Sequence, residues 1–347
     1  MNNGPVLSLT EPLGETVRMA QDQALVTLDD ATFGPMTEPL RHDLLLHCYR
    51  FTGSLHDAED LVQETLVKAW RGRADYRGEA GLRTWLRRIA TRACLDALRD
   101  RPERTLPSAV GQGAGRETLW LEALPDEFLA DVASDPAATY ELRESVSLAF
   151  LVALQRLPPR QRAVLILRDV LALRASETAA SLDISVSAVN SLLHRARRTM
   201  SARYTPASAP SQQNVQTARL LRRYIAAWEA NDIDALMATL KSDAKLEMPP
   251  IPVASFGHAA IRAFLADGII DGPADRWRGV TTEANGGPAV AVYQRDGDHY
   301  WFTGLHLLTV DGEQIATVTA FMDKSLATRF RLPDKLDPRP ADSVPDR

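Results

Sequence analysis

The sequence is poor in cysteine and has no long apolar run. Its 347 residues include two cysteines, Cys48 and Cys94, which make neither a disulfide framework nor a zinc site. Both lie in apolar helical patterns, so we expect buried, reduced thiols. No segment approaches the roughly 20 apolar residues that span a bilayer, and the acids within residues 1–27 do not fit a secretory signal. These absences predict a cytoplasmic protein that uses no membrane, metal or cofactor.

Positive charge is also scarce overall, since 40 lysines and arginines stand against 45 acids, giving a net charge of -5. This balance argues against a protein that coats nucleic acid through bulk charge. The arginines are clustered, however. Residues 83–99 hold five arginines and one acid, and residues 185–200 hold three arginines and no acid. Such stripes predict contact with DNA at two chosen places, while another surface meets a basic protein.

Periodicity and composition divide the chain into three blocks. Two helical blocks, at about 39–100 and 139–203, precede a part from Val215 onward in which helices are followed by alternating apolar runs. Asp296-Gly297 and Asp311-Gly312 separate these runs as hairpin turns. The prediction is a multidomain chain with two all-α domains followed by an α+β domain. Its segments are a flexible N-terminal arm (1–35), a helical domain (36–103), a linker (104–138), a second helical domain (139–204), a linker (205–214), the α+β domain (215–330) and a tail (331–347).

The first block contains two predicted helices. Residues 57–70, DAEDLVQETLVKAW, place apolar side chains at helical spacing behind Asp57, a predicted N-cap. From these residues alone, the polar face is simply solvated. In the second helix, residues 81–99, an apolar side faces arginines that can lie against a phosphate backbone. Trp85 there is either core or a wedge against an unstacked base pair.

Together, DAEDLVQETLVKAW and YRGEAGLRTWLRRIATRACLDALR resemble conserved region 2 of sigma-70 family factors, in the extracytoplasmic-function (ECF) subfamily. The resemblance implies that the first string binds the β′ clamp of core RNA polymerase, and that the second captures flipped bases of the minus-ten promoter element. Extruding a base costs a few kcal/mol, which a stacking pocket can offset without ATP. The implied polymerase contacts are Asp60, Gln63 and Glu64. The implied minus-ten contacts are Arg83, Trp85, Arg87, Arg88 and Arg92.

The second block follows the helix-turn-helix pattern. A helix from Val146 stops at Pro158-Pro159, a helix at 161–170 follows, and a short helix at 175–182 turns into a basic helix from Val186. The block resembles sigma region 4, which reads the minus-thirty-five element and contacts the β flap of the polymerase. The implied DNA contacts are Ser187, Asn190, His194, Arg195, Arg197 and Arg198. The rival interpretation of this block alone is a regulator that binds DNA without polymerase.

The third block resembles the SnoaL-like branch of the NTF2-like cone fold, which some relatives use for acid/base chemistry on steroids and polyketides. A catalytic domain fused to a DNA-binding module is therefore a second alternative. Its candidate acid/base groups are Tyr224, Asp243, His299, His306 and Asp323. Since no paired carboxylates stand out, we expect no catalytic residue, and rather the sensing of a small-molecule or protein ligand.

Short motifs resemble those of an ECF group that carries this extension. They are WLEALPD at 120–126, NGGPA at 285–289 and LPDKL at 332–336. The resemblance implies that the third domain regulates the factor in cis, where a tether supplies a millimolar effective concentration. We expect Trp120 and Leu124 to dock on the third domain, and Lys335 and Leu336 to tune that contact. The sequence thus predicts a sigma factor for promoter recognition and strand opening.

Overall fold

The computed structural model describes residues 28–78, 80–100, 121–130, 135–202, 204, 213–249 and 251–338. Trp120, most of the predicted arm and linkers, and the end of the tail lie outside these residues. We call residues 28–100 the first domain, 121–130 the connector, 135–204 the second domain and 213–338 the third domain.

The first domain is a helical bundle. Its helices are α1 (Phe33–Thr37), α2 (Arg41–Thr52), α3 (Leu55–Arg71) and α4 (Leu82–Asp100), with 3-10 turns at Glu38–Leu40 and Arg73–Asp75. Helix α2 ends at Gly53, whose φ of 69° is left-handed. Asp57 does not cap α3, contrary to expectation. Ser54 takes that place, because its hydroxyl accepts the Asp57 N–H at 3.1 Å and the helix starts three residues earlier than a cap at Asp57 would place it.

Side chains such as Tyr49, Phe51 and Leu86 fill the core of this bundle and are fully buried. Cys48 on α2 and Cys94 on α4 lie together in that core as free thiols, which confirms the expected buried cysteines. Burial raises the pKa of the Cys94 thiol well above its usual range. These thiols therefore act as small apolar side chains.

The connector contains α5 (Glu127–Ala130), and the second domain contains α6 (Pro136–Glu144), α7 (Leu148–Gln155), α8 (Pro159–Leu165), α9 (Ala175–Leu182) and α10 (Val186–Ser201). Helix α7 starts after the predicted Val146, because the Ser147 hydroxyl caps it by accepting the Phe150 N–H at 3.3 Å. The predicted helix at 161–170 begins at Pro159 and widens into a π turn over Ile166–Val170.

Helices α9 and α10 form the predicted helix-turn-helix. Asp183 makes the turn with a left-handed φ of 54°, a conformation that aspartate tolerates. Ser185 then caps α10 by accepting the Ala188 N–H at 3.2 Å. The buried face of α10 includes Val189, Leu193 and Ala196, so its other face is free to project from the domain.

The third domain packs helices on a bent sheet, as predicted. Its elements are α11 (Gln213–Glu229), α12 (Ile233–Thr239), β1 (Leu240–Met248), β2 (Ile251–Phe256), α13 (Gly257–Ala266), β3 (Trp277–Ala284), β4 (Gly287–Asp296), β5 (His299–Asp311), β6 (Gln314–Phe321), α14 (Leu326–Arg329) and β7 (Lys335–Leu336). The strand order is β2-β1-β6-β5-β4-β3, with β7 paired to β5. Only the β1–β6 pair is parallel among the pairs of these described strands. Gly297 and Gly312 make the predicted hairpin turns with φ of 62° and 63°.

The two faces of this sheet belong to different apolar cores. Side chains such as Val290 and Leu308 pack with the domain's own helices. On the opposite face, side chains such as Ala291 and Leu305 join the core that also contains Leu124 and both helical domains. The connector lies over that second face, as does the tail turn, by which we mean residues 326–332 around α14. One continuous core therefore links all three domains.

Candidate functional site

The predicted polymerase contacts share one exposed face of α3. Asp60, Gln63 and Glu64 are all exposed, and the helix buries Val62 and Ala69 on its opposite side. Sequence reasoning missed Val67, which is 48% exposed one turn beyond these residues. A single valine among polar residues carries no sequence signal, although an apolar point within an acidic face suits a protein interface.

The predicted minus-ten contacts lie on two sides of α4. At about 100° per residue, Arg83 and Arg87 fall on one side, and Trp85, Arg88 and Arg92 on the other. Arg83, Arg88 and Arg92 are exposed. The structure therefore brings three of the five residues together on one strip and separates two from it.

Arg87 and Trp85 have structural partners within the first domain. The Arg87 guanidinium pairs with the Asp43 carboxylate of α2, with Nε 2.8 Å from Oδ2. Both side chains of the pair are mostly buried, at 18% and 13% exposed. The Trp85 ring lies 5.1 Å from the Tyr76 ring and is half-buried. Arg87 thus links α4 to α2, whereas no comparable ion pair holds Arg83, Arg88 or Arg92 among the residues that the structure describes.

All six predicted minus-thirty-five contacts on α10 are exposed. Five of them fall within an arc of about 100°, and Arg195 lies roughly 60° beyond that arc. Arg197 is held by Asp169 at 2.7 and 2.9 Å. The other predicted contacts within this arc project from the exposed face of α10, from which a helix-turn-helix enters the major groove.

The first and second domains are docked on each other. Arg162 of α8, 5% exposed, donates to the Phe51 carbonyl of the first domain. Arg50 donates in return to the Ser145 hydroxyl at 2.8 Å. Burial lowers the pKa of both guanidinium groups to about 10, so both remain charged at neutral pH. Two buried, charge-assisted contacts therefore join the domains.

Helix α4 also packs against α8 and α9. A cleft of about 320 Å³ remains between them, lined by Arg92 and Arg99 on one side and by Arg160 and Leu182 on the other. Arg92, a predicted minus-ten contact, thus faces the second domain across a narrow cleft.

The connector lies on the first domain. The Glu122 carboxylate accepts the Ser54 hydroxyl at 2.9 Å and the His56 N–H at 3.0 Å, at the N-terminus of α3. The Glu122 carbonyl accepts the Tyr49 hydroxyl at 2.7 Å. A carboxylate at a helix N-terminus is favourable, so the connector stabilises the start of the predicted polymerase-binding helix.

Leu124 of the connector is fully buried and is bound to the third domain through Asn285. The Asn285 N–H donates to the Leu124 carbonyl, and the Leu124 N–H donates to the Asn285 side-chain oxygen, both at 2.8 Å. Asn285 also donates to the Tyr49 hydroxyl at 2.7 Å and to the Val146 carbonyl at 2.8 Å. Sequence reasoning noted the NGGPA loop as a motif but missed this residue's contacts.

An ionic cluster surrounds the contact between Leu124 and Asn285. Asp126 of the connector accepts the Gly286 N–H at 2.8 Å. Arg143 of α6 lies 3.8 Å from Asp126 and 3.3 Å from Glu283 of β3. Burial raises the pKa of Asp126 to about 6; Glu283 adds to the rise, and the Gly286 N–H and Arg143 oppose it. The contact between the connector and the third domain therefore combines the buried Asn285 amide with the Asp126 carboxyl, whose pKa is raised by burial.

Two further ion pairs join the tail turn to the rest of the molecule. Arg329 lies 3.6 Å from Glu59 of α3, one turn before Gln63. Arg331 lies 3.0 Å from Glu127 of the connector. The third domain consequently reaches the edge of the predicted polymerase-binding face without covering it.

Lys335 and Leu336 form β7, which pairs with Trp301 and Tyr300 of β5. The Phe302 N–H donates to the Asp334 carbonyl at 2.9 Å, extending this pairing. Leu336 packs against the shared core and Lys335 is exposed. The tail motif thus adds a short strand to the sheet, and its predicted influence on the connector would act through that sheet.

The interior of the third domain contains an aromatic cluster. The Tyr224 hydroxyl lies 2.9 Å from His306 Nδ1, the Trp228 ring 5.1 Å from the His306 ring and the Trp277 ring 5.6 Å from that of Trp228. Burial lowers the pKa of His306 to about 4, so the imidazole is neutral at pH 7. These four rings are therefore buried together inside the third domain.

The other acid/base candidates lie elsewhere. Asp243 and Asp323 are exposed, and His299 lies 3.4 Å from Asp337. The five candidates therefore do not converge on one site. Within the described residues, no three His, Cys, Asp or Glu side chains are placed to hold a metal ion. The helices in that part of the chain are also too short or too polar to cross a membrane.

Comparison with protein families accounts for each domain. Residues 36–103 match the Sigma-70 region 2 family, residues 147–200 match Sigma-70, region 4, and residues 221–318 match the SnoaL-like domain family. The three matches, in this order, define the class of RNA polymerase sigma factors with an added SnoaL-like domain.

Individual relatives narrow the class from sigma factors in general to one family of them. The ECF RNA polymerase sigma factor SigG of Mycobacterium tuberculosis is 45% identical over 317 residues, which cover 88% of this chain and 85% of SigG. SigJ of the same organism is 33% identical over 208 residues, covering 59% and 61%. The crystal structure of SigJ superimposes with a TM-score of 0.58 at 23% identity over 86% of this chain and 99% of that one, so it shares the fold. The chain belongs to the ECF family of RNA polymerase sigma factors.

Proposed function

We propose that this sigma factor binds the β′ clamp of core RNA polymerase through α3 and the β flap through the second domain, in the cytoplasm. It reads the minus-ten element with α4 and the minus-thirty-five element with α10, and acts by binding rather than by catalysis. We further propose that the third domain holds the chain in a closed, inactive arrangement. The observation that carries this proposal is the docking of the first and second domains beneath the third.

The closed arrangement is too compact for a promoter. Elements centred ten and thirty-five base pairs upstream lie about 25 base pairs apart, or ~85 Å along B-DNA. Helix α4 contacts α8 and α9 directly, and the 16-residue α10 is only about 24 Å long. Since both elements cannot be reached at once from these positions, the two helical domains must separate before transcription starts.

The α3 face remains open while the DNA-reading side of α4 is partly closed. Asp60, Gln63 and Glu64 are exposed, whereas Arg92 faces the second domain. This contrast supports an order of events in which polymerase binds the closed chain first. Binding energy from the clamp and flap then favours the open arrangement.

The alternative of a catalytic third domain has less support. Tyr224 and His306 meet in a buried aromatic cluster, with Asp243 and Asp323 at the surface. Proton transfer needs a group within hydrogen-bond reach of a bound substrate. We therefore propose that any ligand or partner of this domain acts at its interdomain surfaces.

Transcription in vitro with purified core polymerase tests the proposal. The full chain is compared, at equal protein concentration, with a truncation after Arg203 that lacks the third domain. We expect both to initiate at a cognate promoter and the truncation to yield several-fold more transcript. Failure of both chains would contradict the sigma function, and equal yields would contradict inhibition by the third domain.

A further inference from the structure

We infer that Asn285 positions the first and second domains relative to each other, through hydrogen bonds from one side chain to both of them and to the connector. The effect on transcription rests on the proposed function, whereas the positioning role rests on the contacts alone. Asn285 belongs to the third domain, lies in the turn between β3 and β4, and is 3% exposed. A third-domain residue is thus buried where the other two domains meet.

An amide side chain is suited to this place because it offers two donor hydrogens and an acceptor oxygen. The oxygen accepts from Leu124 of the connector, and the nitrogen donates to Tyr49 of the first domain and Val146 of the second. These partners lie 161, 236 and 139 residues away along the chain. A carboxylate of the same shape would lose both donors and place a negative charge beside the Val146 carbonyl.

The backbone brings this amide into the joint. Asn285 and Gly286 have left-handed φ of 55° and 72°, which asparagine tolerates and glycine adopts freely. A Cβ on Gly286 would lie 2.6 Å from the Arg143 Cβ and 2.9 Å from the Arg143 carbonyl oxygen. Glycine is therefore needed for the turn to approach the second domain this closely.

The contact extends beyond its direct partners. The Tyr49 hydroxyl, which receives a hydrogen bond from Asn285, donates to the Glu122 carbonyl at 2.7 Å. The Glu122 carboxylate in turn binds the first turn of α3. Because Arg162 and Arg50 also join the helical domains, loss of Asn285 should raise the open fraction rather than separate the domains entirely.

Hydrogen–deuterium exchange on the full chain tests this role with Asn285→Asp. Asn231→Asp is the matched control, since Asn231 has the same φ of 55° and hydrogen-bonds within the third domain, to the Gly272 carbonyl. We expect Asn285→Asp to speed exchange at 121–126 and at 143–148 by about tenfold or more, because a buried polar network is left unsatisfied. The Asn231→Asp chain should match the wild type at both segments.

If exchange becomes faster at 121–126 but is unchanged at 143–148, Asn285 anchors only the connector, and the inference is overturned. If exchange also becomes faster throughout β4 and β5, the third domain has unfolded in the Asn285→Asp chain. The Tyr49→Phe variant then serves as the test. That change removes the partner hydroxyl without altering the third domain. It should still speed exchange at both segments by a smaller factor, and an unchanged pattern overturns the inference.

Transcription by the full-length variants separates this inference from the proposed function. We expect Asn285→Asp to yield several-fold more transcript than wild type or Asn231→Asp. Faster exchange with unchanged transcription supports the positioning role and contradicts inhibition by the closed arrangement. Unchanged exchange overturns the positioning role whatever the transcript yield.

Discussion

At the scale of single residues, Asp126 links the closed arrangement to pH. Its carboxyl is buried beside Arg143, Glu283 and the Gly286 N–H, and burial raises its pKa to about 6. In an open chain, with the connector in water, an aspartate has a pKa of about 3.9. The closed form therefore binds the Asp126 proton more tightly than the open form does.

This difference in proton affinity determines how the equilibrium between the closed and the open chain changes with pH. The contribution of Asp126 to closure is fully present below about pH 4 and is lost as the pH rises to about 6. We predict that the chain opens more at pH 7 than at pH 5, as measured by exchange at 121–126 after correction for the intrinsic pH dependence of exchange.

Asp126→Asn is the control, since it keeps the shape and cannot titrate. It should flatten the difference between pH 5 and pH 7. A wild-type chain that opens more at pH 5, or a variant that keeps the full difference, would refute the assignment to Asp126.

Gly286 and Gly297 form a matched pair of turn glycines with φ of 72° and 62°. A Cβ at Gly297 meets nothing within 4 Å, whereas one at Gly286 overlaps Arg143. Substitution of either by alanine should cost about 1–2 kcal/mol for the left-handed backbone. We predict that Gly286→Ala alone also speeds exchange at 143–148. Equal effects of the two variants would contradict a close approach at Gly286.

Sequence reasoning identified single residues where their environment is local. The exposed polar positions of α3 and α10 follow from helical spacing, and Asp183 from its place in a turn. The role of Asn285 cannot be predicted from such local patterns, because its partners lie more than a hundred residues away along the chain. The NGGPA motif drew attention to the loop, but an Asn-Gly pair is equally expected in any tight turn.

At the scale of elements, α4 combines a structural face with an exposed one. We predict that Arg87→Ala lowers the free energy of unfolding by about 2 kcal/mol, since it leaves the mostly buried Asp43 unpaired. Arg88→Ala should change it by less than about 0.5 kcal/mol. Thermal unfolding measures both.

Open-complex formation distinguishes the two arginines further. Below the unfolding transition, Arg88→Ala should reduce strand opening on a promoter more than Arg87→Ala does, because Arg88 is exposed and Arg87 is held by Asp43. A larger loss of strand opening for Arg87→Ala would support the sequence-based prediction that Arg87 is a minus-ten contact.

Elements with strong periodicity or clear turns were predicted from the sequence. Alternating apolar residues and the Asp-Gly turns predict β4, β5 and β6. Apolar residues at helical spacing predict α9 to α12. The strands β1, β2 and β3 were not predicted. In β1, charged residues such as Lys245 and Glu247, which pair with each other on its partly exposed face, break the apolar alternation. The start of α3 was wrong because Ser54 and Asp57 are both good caps, and tertiary contacts with Glu122 favour Ser54.

At the scale of the whole molecule, the third domain is fused to the helical domains by its sheet. An antiparallel sheet can leave one face in water, yet here that face shares a core with Leu124 and both helical domains. The sequence order of the domains was predictable, since each has its own motif. Their docking was not, because it depends on buried contacts such as Arg162 with Phe51 that no local pattern encodes.

The distance between the first and second domains tests the central claim most directly. Spin labels on Ala74→Cys and Ala202→Cys, both at exposed positions, would report it by double electron–electron resonance. Cys48 and Cys94 are buried, so the native thiols should not be labelled in the folded chain.

The measurement compares the free chain with the chain bound to core polymerase on promoter DNA. We predict a single short distance in the free chain and a distance longer by tens of ångströms in the complex, since ~85 Å separates the two promoter elements. A distance that is already long in the free chain, or one that stays short in the complex, would contradict a sigma factor held closed by its own third domain.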